Sequence, residues 1–234
     1  MFWNEKLHKV IPFYSHYASP KASPFTETYS LKNCFFTSTL NFTIETTRYS
    51  VANIMSISSQ PIVIIVGTNR PNSMSRKIAE YYQNLLSKLN APSLILDLVN
   101  LPHDFTVSAM YENSGKNEGF NGLRALLEKT DKFVFIVPEY NGSYPGVLKA
   151  FIDGLPYPNS FTNKKAALVG LSSNTQGATI AMSHLNDVFS YLGMNTLALR
   201  VKLAQIRNHY TEGVITNALY NELLEMQAEQ ILRF

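Results

Sequence analysis

The chain has 234 residues, 45% of them apolar and 16% charged, with a formal net charge of +3. That mix fits one globular domain with or without an appendage, and the small charge excludes a nucleic-acid binder held mainly by bulk positive charge. A single cysteine, Cys34, excludes a disulfide framework and a cysteine-based metal cluster, and no apolar run is long enough to span a bilayer; a reducing, cytoplasmic setting is expected.

The first 54 residues differ from the rest. They hold the only tryptophan and the only cysteine, and all eleven glycines lie at or after Gly67. Three readings are open. Translation starts at Met55 and residues 1–54 are an upstream stretch; or they form a transit peptide, against which Glu5, Glu27, Glu45 and a lone Arg48 argue; or they are a genuine extension, since disordered segments are usually poor in aromatics. No continuous apolar stretch of a secretory signal follows the N-terminus. The expected division is an extension over 1–54, disordered or preceding the true start, and one domain over 55–234.

From Met55 onward two periods alternate. Pro61-Ile62-Val63-Ile64-Ile65-Val66 is a β-branched run of the kind that marks a strand buried on both faces. After a turn over Gly67–Ser75, Ile78, Ala79, Tyr82, Leu85, Leu86 and Leu89 recur at helical spacing. Leu94–Leu98 predicts a second strand. Residues 99–120 read as a long polar connection, followed by a short helix over Gly122–Lys129. Lys132–Val137 predicts the third strand, and Pro145 opens a helix, where proline suits the first turn. Lys165–Leu171 is the fourth strand, Ala178–Leu192 a helix capped by Gly193, Thr196–Val201 the fifth strand, and Glu212–Leu232 a closing helix. Val214, Ala218, Leu219, Leu223 and Leu224 on that helix would cover the sheet or serve a subunit interface. Strands alternating with helices imply a parallel sheet with helices on both faces. Five strands fit a flavodoxin-like α/β fold of order 2-1-3-4-5, in which ligands bind outside the carboxyl ends of the strands.

The loops after strands one, three and four are therefore the ones to inspect. Gly67-Thr68-Asn69-Arg70-Pro71-Asn72-Ser73-Met74-Ser75-Arg76-Lys77 is rich in hydroxyls and leads into a helix. Its glycine would permit a sharp turn. A helix N-terminus offers unpaired N–H groups and partial positive charge to an anion. Ser73 or Ser75 could simply cap the helix, but Arg70, Arg76 and Lys77 at its positive end would be unfavourable without an anion there. A phosphate is expected. Neither a Walker loop nor the dinucleotide fingerprint G-x-G-x-x-G is present.

The loop after strand three, Pro138-Glu139-Tyr140-Asn141-Gly142-Ser143-Tyr144-Pro145-Gly146, is the second strong segment. Asn-Gly favours a tight hairpin, but a helix rather than a strand follows, which argues against one. Its N–H groups could meet the polar edge of a planar ring, with Tyr140 flanking that ring.

This pair of loops, with Val147-Leu148-Lys149 and Ile152-Asp153 beyond, resembles the signature of the NADPH-dependent FMN reductase family, which includes quinone, azo-dye and chromate reductases. The resemblance covers Ile62 to Leu203. It implies bound FMN, with NADPH or NADH as co-substrate and a small-molecule acceptor reduced in a ping-pong sequence. It implies that Thr68, Arg70, Ser73, Met74 and Ser75 hold the phosphate, that Pro138, Glu139, Tyr140, Asn141 and Gly142 line the isoalloxazine, and that Ser172 and Ser173 close its other side. It also implies a homodimer or homotetramer. The chain departs from the family twice. The loop after strand four has only Gly177 where paired glycines are common, and Gly154 stands where an aromatic often follows the aspartate.

No general acid or base is required, and none is named. His184 reads as structural or exposed, while His103 and Tyr111 lie in a connection that could border the pocket. Two other classes remain open from sequence: a flavodoxin-type electron carrier, against which the slightly basic charge argues, and a flavin-free interaction module.

Overall fold

β1 (Ile62–Val66) is buried along its whole length, as a strand covered on both faces must be. In the computed structural model, which describes residues 60–234 apart from Asn159, it pairs in parallel with β2 (Ser93–Asp97) on one side and β3 (Lys132–Pro138) on the other. β4 (Lys165–Leu171) extends the sheet beyond β3, and the order is β2-β1-β3-β4-β5. This is the 2-1-3-4-5 arrangement that the sequence predicts. The expectations for residues 1–54 lie outside the described residues.

Helices cover both faces. α1 (Met74–Lys88) and α6 (Ala218–Arg233) pack on Ile62, Ile64 and Val66. On the other face, α3 (Glu118–Lys129), α4 (Gly146–Asp153) and α5 (Thr179–Tyr191) pack on Val63 and Ile65. Alternate residues of one strand thus serve two cores. Phe135 and Phe189, with ring centroids 4.6 Å apart, lie at the centre of the second core.

Three expectations are corrected. The connection after β2 is structured. It contains α2 (Phe105–Ser108), and α3 begins at Glu118 rather than Gly122, because the Asn117 side chain accepts from Phe120 N at 3.0 Å and caps it. Phe105 stacks on Phe120 at 5.6 Å, so this segment contributes to the core.

The fifth strand is split into β5 (Asn195–Thr196) and β6 (Val201–Leu203), both pairing with β4. Between them the buried Gln227 amide of α6 donates to Leu168 O at 3.0 Å and Leu199 O at 2.7 Å, replacing ladder bonds with side-chain bonds. Finally, Val214 belongs not to the last helix but to a hairpin of β7 (Tyr210–Thr211) and β8 (Val214–Ile215). The helix starts after Asn217, whose side chain accepts from Tyr220 N. Of the residues assigned to its apolar stripe, Leu224 is buried while Val214 and Leu219 are exposed.

Gly154 has a spatial explanation. A Cβ built there would lie 2.7 Å from the Phe120 ring, which is itself fully buried. The volume that an aromatic after Asp153 would fill is occupied from α3. Gly154→Ala is therefore expected to overpack this contact and lower stability by ~1–3 kcal/mol, read as a shift in the urea unfolding midpoint; an unchanged midpoint would show that Phe120 yields freely.

Candidate functional site

The carboxyl ends of β1, β3, β4 and β6 converge on one cleft of about 360 Å³, a volume within the usual range of small-molecule sites. A larger and more apolar cavity, about 490 Å³, lies beside the C-terminal ends of α4 and α5. That is the amino end of the strands, away from where ligands bind in such sheets; it is lined by Lys149, Ile152 and Asp153 of the signature but by none of the residues expected to hold the cofactor.

The first wall is the loop from Gly67 to Ser75. Gly67 is needed for space: a Cβ there would meet Ile136 O at 2.9 Å, and Gly67 N already donates to that oxygen at 2.9 Å. This close approach, rather than a left-handed turn, is the glycine's role. The Thr68 hydroxyl, buried in the turn, accepts from Arg70 N at 3.2 Å. Ser73 caps α1 by accepting from Arg76 N at 3.1 Å. The cap leaves the N–H groups of Met74 and Ser75, which have no acceptor within the helix. Ser75 lines the cleft and is 1% exposed.

The cations of this region divide. Arg76 turns away to Glu80 at 2.8 Å and Asp97 at 3.5 Å. The hydrogen bond to Glu80 holds its guanidinium pKa above the ordinary value against the cost of desolvation. Lys77 lies over the Tyr210 ring at 5.9 Å. Neither lines the cleft, so the charge argument for an anion does not rest on them. Arg70 does line it.

The second wall is the loop after β3. Glu139 N donates to Leu171 O at 3.1 Å, carrying the β3–β4 ladder into the loop. Tyr140 and Ser143 exchange backbone bonds of 2.8 and 3.0 Å, with Asn141 and Gly142 at φ of 52° and 75°. Asn-Gly therefore does form a tight hairpin turn of the primed kind, inserted between strand and helix, contrary to expectation. Glu139 N and Tyr140 N are thereby occupied. The N–H groups of Asn141 and Gly142 have no acceptor among the described residues. These two lie in the turn and do not line the cleft, whereas Pro138, Glu139 and Tyr140 do. The Tyr140 and Thr68 hydroxyls are 2.8 Å apart and join this wall to the first.

The third wall is the loop after β4, where Ser172 and Ser173 line the cleft. With few glycines it is held by side chains. The Ser172 hydroxyl donates to Asn174 Oδ1 at 2.8 Å and accepts from buried Gly177 N at 2.9 Å. Asn174 Nδ2 donates to Glu139 at 2.9 Å.

The sequence reading did not single out Ile206 and Arg207, which follow β6 and also line the cleft. Their signal was position alone, just beyond the carboxyl end of the last strand. His184, exposed on α5, is 3.0 Å from the Ser143 hydroxyl. His103 and Tyr111 are exposed and do not line the cleft.

One end of the cleft thus offers hydroxyls, free N–H groups and a guanidinium, and the other offers Pro138, Tyr140 and Leu171. That donor set fits a planar ring bearing a phosphate. A sequence model of the NADPH-dependent FMN reductase family matches residues 61–206, more than half of the chain. The chain belongs to this family.

A member named 2-hydroxy-1,4-benzoquinone reductase, from a Burkholderia species, is 30% identical over 134 residues, covering 56% of this chain and 70% of its own. An FMN-dependent NADPH-azoreductase of Staphylococcus saprophyticus is 31% identical over 185 residues, covering 74% and 93%. Among solved structures, the flavoenzyme NAD(P)H:(acceptor) oxidoreductase FerB of Paracoccus denitrificans superposes with a TM-score of 0.61 at 26% identity, covering 74% of this chain and 96% of its own. The protein is thus an NAD(P)H-dependent oxidoreductase of the FMN reductase family, with FMN as cofactor and reduced nicotinamide as co-substrate. Among the described residues, no helix is long and apolar enough to cross a membrane.

Ser172→Ala is expected to strand the buried Gly177 N–H and release Asn174 from its turn. A lost partner for a buried donor costs about 1–3 kcal/mol, so thermal unfolding should occur measurably earlier; an unchanged midpoint would show that the loop holds without this hydroxyl.

Proposed function

We propose that FMN lies in this cleft with its phosphate at the start of α1 and its ring between the loops after β3 and β4. The observation that carries the reading is that Thr68, Arg70, Ser73, Met74 and Ser75 all line the cleft at the start of α1, whose first N–H groups have no acceptor within the helix. A phosphate supplies acceptors to such donors and suits the positive end of the helix dipole. Thr68, Arg70, Ser73, Met74 and Ser75 would hold it, with Arg70 adding charge-assisted bonds. Pro138, Glu139 and Tyr140 would flank the ring, Asn141 and Gly142 would offer N–H groups to its polar edge, and Ser172 and Ser173 would close the far side.

When bound, FMN would take a hydride from the nicotinamide and pass electrons on to an acceptor; the protein's part is to bind, orient and shield. Tyr140 and Ser173 leave that side exposed, so nicotinamide and acceptor would use one face in turn, giving ping-pong kinetics. The names of the relatives favour quinones and azo compounds as acceptors. We propose a homodimer or homotetramer in the cytoplasm.

Two experiments test this reading. The purified protein should show a flavin absorbance band that bleaches under anaerobic NADPH and returns on adding a quinone; a band that NADPH leaves unchanged would contradict the assigned activity. Arg70→Ala should weaken FMN binding about tenfold, the loss of one charge-assisted contact, as read by flavin fluorescence titration. Unchanged affinity would remove the phosphate assignment.

A further inference from the structure

We infer that Arg207 is the second guanidinium of the phosphate site, reaching it from the turn after β6 and making the cleft selective for a phosphorylated flavin. This rests on the reading of the cleft as the FMN site. The first observation is placement. Arg207 lines the cleft together with Arg70, Ser73 and Ser75. The second is fixation. The turn that carries Arg207 begins at Gln205, held at a left-handed φ of 47°. Its backbone is pinned to the loop after β4: Gln205 N donates to Asn174 O at 3.0 Å and Ile206 N to Ser172 O at 3.3 Å. Ile206 is 2% exposed, so its side chain anchors the turn in the core. A non-glycine residue in that region of backbone space persists only where its surroundings hold it there.

The third observation is charge. Among the described residues, neither Arg70 nor Arg207 takes part in an ion pair, whereas Arg76 nearby is neutralised by Glu80 and Asp97. The carboxylate in the cleft, Glu139, is engaged by Asn174 at 2.9 Å. Two unpaired guanidiniums bordering a cleft with buried hydroxyl donors match a phosphate monoester, whose charge at neutral pH approaches −2. Guanidinium forks suit such oxygens better than point charges do.

That chemistry occurs in the 5′-phosphate of FMN and in the 2′-phosphate of NADPH. Arg207 lines the same cleft as the start of α1, where the FMN phosphate is proposed to lie, and we therefore assign it to FMN.

The test titrates the full-length apoprotein, prepared by removing flavin, with FMN and with riboflavin, which lacks the phosphate. Arg207→Ala is expected to weaken FMN binding roughly five- to tenfold and leave riboflavin binding within twofold. Arg207→Gln serves as the second variant should the alanine chain fold poorly, and Arg207→Lys should recover part of the loss. The FMN affinity of the parent chain should fall more steeply with salt than that of Arg207→Ala. Equal weakening of FMN and riboflavin would make Arg207 a structural residue and overturn the inference. Unchanged FMN affinity with a raised KM for NADPH but not NADH would overturn it in favour of the nicotinamide phosphate. If Arg70→Ala weakens FMN and Arg207→Ala does not, the inference falls while the site stands; if neither does, the phosphate site itself falls.

Discussion

The ladder between β3 and β4 runs in register from Lys132 opposite Lys165 to Pro138 opposite Leu171. It does not stop at the strand ends: Glu139 N still reaches Leu171 O. In a sheet buried on both faces, the loops cannot take their backbone partners from solvent until they clear the helices. They take them from each other instead. Ser172 N uses Leu203 O, Ile206 N uses Ser172 O, and Gly67 N uses Ile136 O. The cleft is the place where these continuations diverge. Its shape is a consequence of how the sheet ends.

The electrostatics follow from the same geometry. α1 must start beside the end of β1, so its free N–H groups open onto the cleft rather than onto bulk water. Charge then sorts by reach. Arg76, in the first turn of the helix, finds Glu80 on its own helix and Asp97 at the end of β2. Arg70 and Arg207, on the loops, find no carboxylate among the described residues and border the cavity. The positive character of the site comes from where side chains can extend, not from the chain's net charge.

Much of this was legible in the sequence because it is encoded locally. The β-branched run at Ile62–Val66 and the mixed run at Lys132–Val137 are strands by composition, and the hydroxyl-rich turn from Thr68 to Ser75 is a helix start by its residue types. What was not legible depends on partners distant in sequence. The break in the fifth strand relies on Gln227 inserting from α6. Asn141-Gly142 does fold as its dipeptide suggests, and the contrary expectation failed because a single cross-bonded pair suffices without flanking strands. Arg76 was misread although its nearer partner, Glu80, stands four residues on along the same helix; only Asp97, at 3.5 Å, is brought to it by the fold. Arg207 was missed because its position depends on backbone bonds to a loop about thirty residues earlier.

The hydroxyl contact between Thr68 and Tyr140 has a consequence beyond geometry. With Glu139–Asn174 and the bonds from Gln205 and Ile206 to the loop after β4, it cross-braces the cleft walls with the chain's own groups. The conformational entropy of these loops is therefore surrendered when the chain folds, not when the ligand binds. A preorganised cleft of this kind loses little ordering entropy on association, so more of the favourable contact energy can appear as affinity.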